Sequence, residues 1–159
     1  MPVLYLVLVV SAALFFFYLQ IICQRVLRRK FDQEYFQAIV KANRLAFSQI
    51  RRGLEELGQP VRYSQFSSAL RCDYFMLSYM LRNAANLKQS YSLEERLLMI
   101  YCRILLVSWF FRHRLKLGEK ATILRLTRVL EYFANVVGER VNQLRFGSWT
   151  PPEYLRPLD

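Results

Sequence analysis

The chain reads as an all-α protein: a single N-terminal transmembrane helix, then an antiparallel up-down four-helix bundle, then a short extended C-terminal tail. Three observations lead there. Residues 3–23, VLYLVLVVSAALFFFYLQIIC, form an uncharged apolar run followed at once by Arg25, Arg28, Arg29 and Lys30. Four later segments repeat their apolar residues at three- and four-residue steps, the period of a helix buried along one side. The last stretch holds Pro151, Pro152 and Pro157, and proline removes a helix donor and clashes with the preceding turn. The expected division is an anchor over 1–24, a basic juxtamembrane segment over 25–31, a cytoplasmic bundle over 32–145 and a Pro-rich tail over 146–159.

The anchor follows from length. About 20 residues rising 1.5 Å each match a hydrocarbon core of roughly 30 Å, and only Ser11 and Gln20 interrupt the apolar character. No Lys or Arg precedes the run, and Ser11-Ala12-Ala13 lies too early for a cleavage site, so an uncleaved anchor is expected rather than a removed signal. The four cations behind it predict an outside N-terminus and a cytoplasmic domain by the positive-inside rule. Arg25, Arg28, Arg29 and Lys30 are also the expected contacts to anionic lipid headgroups, at about 1 kcal/mol per charge near the surface.

The first bundle helix is expected over 32–57, with Asp32 as N-cap and Phe36, Val40, Phe47, Ile50, Leu54 and Leu57 on its apolar face, stopping near Gly58 and Pro60. No Pro or Gly occurs between residues 3 and 52, so the anchor either runs into this helix as a stalk or breaks near Phe31 and Asp32. A second helix runs from a Ser64 cap to about Leu87, with Phe66, Leu70, Leu77, Leu81 and Ala84 on one face. Phe75, Met76, Tyr79 and Met80 widen its apolar arc and are expected to fill gaps in the core.

The third helix opens on Ser92-Leu93-Glu94-Glu95, a capping box, and runs to about Leu117 before Gly118. Its centre, LLMIYCRILLVSWFF over 97–111, holds Arg103 as its only charge. A second crossing would leave Arg112, His113, Arg114 and Lys116 outside, against the positive-inside rule. This segment is therefore expected as the central buried helix, or as a helix with one face docked on a membrane-embedded partner. The fourth helix, about Glu119 to Arg145, carries Ile123, Leu126, Leu130, Phe133, Val137, Val141 and Leu144 in the cleanest amphipathic pattern of the chain.

Catalytic chemistry is thinly supplied. His113 is the only histidine and lies in the basic run RHRLK, so neither a His-rich metal site nor Ser-His-Asp chemistry is expected unless a partner contributes residues. Glu55-Glu56 and Glu94-Glu95 are adjacent on helices, so the members of each pair do not face one another. Asp73 sits in apolar sequence and is expected to pair with Arg71, Arg82 or Arg103. Cys23, Cys72 and Cys102 are odd in number and widely spaced, arguing against a disulfide framework. No cofactor is expected, and no phosphate-binding glycine loop occurs.

The net charge of +11 is spread along the chain rather than clustered, while 54% of residues are hydrophobic. Nucleic acid is disfavoured as a partner because only charge supports it. Together these features predict a non-catalytic accessory or scaffold subunit of a larger membrane complex, bound to integral membrane subunits. A membrane-tethered adaptor for soluble partners, a nucleic-acid module and a carrier of a hydrophobic ligand are the competing readings, and a homo-oligomer is compatible with the first. The candidate partner interface is Arg103, Trp109, Phe110 and Arg112, with Trp149, Pro151, Pro152 and Tyr154 in the tail. Pro151-Pro152-Glu153-Tyr154 resembles the PPxY ligand of WW domains, which implies docking as an extended peptide.

Overall fold

The computed structural model describes residues 2–31, 34–56, 63–84, 91–115 and 117–147. Among them are six helices and no strand: α1 (Pro2–Leu27), α2 (Phe36–Asn43), α3 (Phe47–Glu55), α4 (Tyr63–Ala84), α5 (Leu93–Arg114) and α6 (Lys120–Gly147). The Asp32 cap, the stop at Gly58 and Pro60 and residues 148–159 of the tail lie outside the described residues. The backbone of α6 continues helically to Gly147, two residues past the expected end.

The centre of the fold is α6, against which every other helix packs. From Thr122 to Gly138 it buries Ile123, Leu126, Leu130, Phe133 and Val137 of the expected face, and also Val129, Tyr132, Ala134 and Val136 on its flanks, whereas Val141 of that face is exposed and the side chain of Leu144 lies outside the described residues. A helix buried over so wide an arc must have neighbours on several sides. The expected centre, α5, buries Leu98, Tyr101, Cys102, Leu105 and Trp109 but leaves Ile100, Val107, Phe110 and Phe111 exposed. Its capping box forms as expected: Ser92 Oγ accepts from the Glu95 backbone N–H, and Glu95 Oε2 accepts from Ser92 N–H, each at 3.2 Å.

The helix expected over 32–57 is two helices. Arg44 caps α2 with φ 51° and ψ 41°, a left-handed conformation that costs a non-glycine residue roughly 1–2 kcal/mol. The Leu45 N–H then bonds back to Val40 O at 3.1 Å, closing the turn. The elbow has a packing reason. It swings Leu45 and Phe47 into the core, whereas α2 itself holds no fully buried residue.

Neither short helix has a local side-chain cap, since Tyr35 and Ala46 occupy the cap positions. Each is capped instead from a long helix. Asn135 Oδ1 on α6 accepts from Phe36 N–H at 2.8 Å, and Asp73 Oδ2 on α4 accepts from Ala46 N–H at 2.9 Å and Phe47 N–H at 2.7 Å. A carboxylate at a helix N-terminus also meets the positive end of the helix dipole. The buried Asp73 is thus a capping residue, and the expected pairing with arginine is replaced by two backbone donors.

Two further devices fix the short helices and the helix ends. Gly138 lets Tyr35 lie across α6: a Cβ there would collide with Tyr35 Cβ and fall 2.9 Å from its Cγ. Tyr35 Oη in turn accepts from Asn142 Nδ2 at 3.0 Å. Arg140 donates through Nη2 to Glu95 Oε1 at 2.6 Å and through Nη1 to Leu81 O at 3.2 Å, so one side chain ties the start of α5 and the end of α4 to α6. No buried side-chain polar atom among the described residues lacks a partner.

The first helix is long and apolar enough to cross a membrane, and it ends at Leu27 rather than continuing as a stalk. Its two parts differ. Residues 3–18 are exposed, while Leu19 and Cys23 belong to the buried core and Val26 and Leu27 pack against it. It runs antiparallel to α5: Arg29, just beyond its end, and Glu95, at the start of α5, reach the neighbouring residues Glu139 and Arg140 of α6, while Gln24, Leu27 and Arg28 share a cleft with Tyr101, two turns into α5.

Candidate membrane and partner surfaces

Arg25, Arg28, Arg29 and Lys30 are all exposed at the end of α1. Arg29 also serves the fold: its Nη2 approaches Glu139 Oε1 at 3.6 Å and its guanidinium lies 5.4 Å from the Phe31 ring centroid. Its side chain is half exposed, so the ion pair is solvent-screened and weak. Arg29 and Lys30 line an open cleft of about 520 Å³ with Arg51, Arg128, Glu34 and Glu131. Arg51 is paired with Glu131 and Glu55, which offsets part of the charge, but four cations against two carboxylates leave the cleft net cationic. Arg25 and Arg28 remain the cations whose positions suit headgroups most directly.

The expected partner residues on α5 separate. Trp109 is buried, and its Nε1 donates to Glu119 Oε2 at 2.7 Å; it holds α5 to α6 and offers no accessible surface. Phe110 and Arg103 are exposed. Arg103 Nε donates to Tyr74 Oη at 3.3 Å, so it meets a phenol on α4 rather than a carboxylate. Arg112 is exposed and donates to Gly118 O at 3.2 Å. Trp149, Pro151, Pro152 and Tyr154 fall outside the described residues.

A surface that sequence periodicity placed in the core proves to be outside it. Phe75 and Tyr79 on α4 are each 67% exposed and Met76 is 42% exposed, with Met80 half-buried behind them. Their spacing of three and four residues makes one stripe along the helix. On α5, Ile100 and Val107 form a second such stripe, 51% and 56% exposed, and Arg103 lies between them with its hydrogen bond to Tyr74. The signal available in the sequence was the breadth of the apolar arc in α4, wider than one core contact can cover.

The titratable groups explain themselves through packing. Burial pushes the Asp73 carboxyl above its ordinary value, with the hydrogen bonds from Phe47 and Ala46 pulling it back. Burial likewise pushes the Cys102 thiol up to about 12, with Arg103 opposing, which leaves it un-ionised and unreactive. His113 Nδ1 lies 2.9 Å from Glu119 Oε1. Among the described residues, no three His, Cys, Asp or Glu side chains converge as a metal site. Comparisons with protein-family models, with curated proteins and with solved structures find no match to this chain.

Proposed function

We propose that the protein is a non-catalytic, membrane-anchored accessory or scaffold subunit of a larger membrane complex. In this reading α1 crosses the bilayer with its N-terminus outside, and the helical domain sits on the cytoplasmic face. The observation that carries it is the exposed apolar stripe of Phe75, Met76 and Tyr79. The core beneath is filled by Leu70, Leu77 and Leu81 from the opposite face of the same helix, so among the described residues the stripe is left largely uncovered, with the Phe75 ring touching Tyr74 at its edge. Contiguous exposed apolar side chains of this size mark surfaces that another protein covers.

The test is extraction from native membranes in mild detergent through a C-terminal tag, with the co-purifying proteins identified and counted. Integral membrane proteins at fixed stoichiometry are expected, and the double substitution Phe75→Ser with Tyr79→Ser should release them while the helical content is unchanged. Recovery of the chain alone, or with soluble proteins in variable amounts, would overturn the subunit reading in favour of an adaptor.

A further inference from the structure

We infer that the tip of the α5–α6 hairpin is a second membrane contact, inserted into the same leaflet that α1 leaves, with acidic phospholipid as its preferred lipid. The inference rests on the anchoring reading above and adds to it a lipid-binding element outside the spanning helix.

The first support is exposure. Residues 3–18 of α1 are all exposed, and in the anchoring reading lipid covers this apolar run as far as the level of Leu19, where α1 is already docked in the core. Whatever part of the domain stands at or beyond the level of Leu19 meets lipid.

The antiparallel register identifies that part. With Arg29 and Glu95 reaching the neighbouring residues Glu139 and Arg140 of α6, and Gln24, Leu27 and Arg28 sharing a cleft with Tyr101, the level of Leu19 lies about two turns beyond Tyr101, near Ser108. The remaining residues of α5 to Arg114 extend up to about 9 Å further toward the outer end of α1. Because Leu14, Phe15 and Tyr18 are all more than 60% exposed, α5 diverges from α1 beyond Leu19. The tip therefore stands beside the anchor, with room for lipid between them.

Its composition matches that position. Phe110, Phe111, Leu115 and Leu117 are 44%, 58%, 67% and 52% exposed, beside the exposed cations Arg112 and Arg114. Apolar side chains at the acyl boundary with arginines reaching back to phosphates is the pattern of an interfacial helix end. The tip is also fixed rather than loose. Glu119 accepts from Trp109 and contacts His113, and Arg112 Nη1 holds Gly118 O, so these polar groups brace the hairpin while the exposed leucines and Arg114 remain at its surface.

The experiment uses the full chain in vesicles of phosphatidylcholine with phosphatidylglycerol, Cys72 replaced by serine and one new cysteine labelled with a fluorophore at Phe16, Leu117 or Glu56. Quenching by spin-labelled lipid is then read at each site. Strong quenching at Phe16, clear quenching at Leu117 and none at Glu56 is expected, with the Leu117 signal falling at least about twofold in vesicles of phosphatidylcholine alone. Quenching at Phe16 with Leu117 as silent as Glu56 overturns the tip insertion and leaves the anchor intact. Silence at Phe16 as well overturns the anchor and the tip together. Insertion without any dependence on acidic lipid overturns the lipid preference. Phe111→Ser with Leu115→Ser, both at exposed positions, should abolish quenching at Leu117 while leaving that at Phe16 unchanged.

Discussion

Helices α5 and α6 exchange the roles their sequences suggest. The more continuously apolar α5 lies to one side of the fold with Leu93, Ile100, Val107, Phe110 and Phe111 exposed, whereas α6, interrupted by Arg125, Arg128, Glu131 and Glu139, is the helix all others pack on. An unbroken apolar run has apolar residues on every face, and a monomeric bundle can bury only some of them. A patterned helix declares one broad face for the core and keeps its charges at the margins. In the proposed reading, the surplus hydrophobicity of α5 and of the α4 stripe is surface made for another molecule rather than redundancy of the core.

The largest contrast should come from placing one charge on each helix. Phe133→Asp puts an unpaired carboxylate where Phe133 is fully buried, and the loss of packing plus desolvation is expected to exceed about 4 kcal/mol. Ile100→Asp on the exposed face of α5 should change the stability of the isolated protein by no more than about 0.5 kcal/mol. Thermal unfolding in mild detergent reads both. Comparable losses would mean that α5 is as central as α6 and that its exposed face is not free surface.

Next comes the polar link that joins the two helices. Arg140→Ala leaves Glu95 buried without its cation, at a cost of about 3 kcal/mol, because the two side chains are only 13% and 6% exposed. Arg140→Met combined with Glu95→Gln should recover a good part of that loss, since it removes the charge along with its partner. Failure of the double variant to recover would show that the bond from Arg140 to Leu81 O, rather than the ion pair, is the important tie.

Smaller again is the contact that seats α2. Gly138→Ala adds one methyl where Tyr35 already lies, and the shift it forces should cost about 1–3 kcal/mol despite alanine's better helix propensity. Hydrogen exchange would locate the damage: amides of α2 should lose protection before those of the α6 centre. A stabilised variant would mean that α2 is free to move off α6.

How much of this was legible follows the same physics. The capping box at Ser92, the length and apolar character of α1 and the core face of α6 are local or periodic properties, and residues 3–23, 92–95 and 123–137 state them directly. The break at Arg44 is not local: no Gly or Pro marks it, and it exists because Leu45 and Phe47 find a core supplied by distant helices. The caps from Asp73 and Asn135 join residues 26 to 99 positions apart, and the collision at Gly138 involves a residue more than a hundred positions away. The surface stripe of Phe75, Met76 and Tyr79 was visible as composition but not as exposure, because periodicity says which residues share a face and not whether a neighbour covers it.

The smallest predicted effect is also the most discriminating for how the elbow is held. Asp73→Asn retains an oxygen to accept from Ala46 and Phe47 while removing the buried charge, so at neutral pH the stability should change by no more than about 1 kcal/mol. The pH dependence separates the two contributions. Burial raises the Asp73 carboxyl above its ordinary value, so the folded state binds the proton more tightly than the unfolded one. Acidification from neutral pH toward the ordinary value of 3.8 should therefore stabilise the wild type relative to Asp73→Asn, and the advantage should vanish as pH rises through the folded-state value. A wild type that instead loses ground to the variant on acidification would show that the two backbone donors outweigh burial, and that the charged carboxylate is what holds α3 to α4.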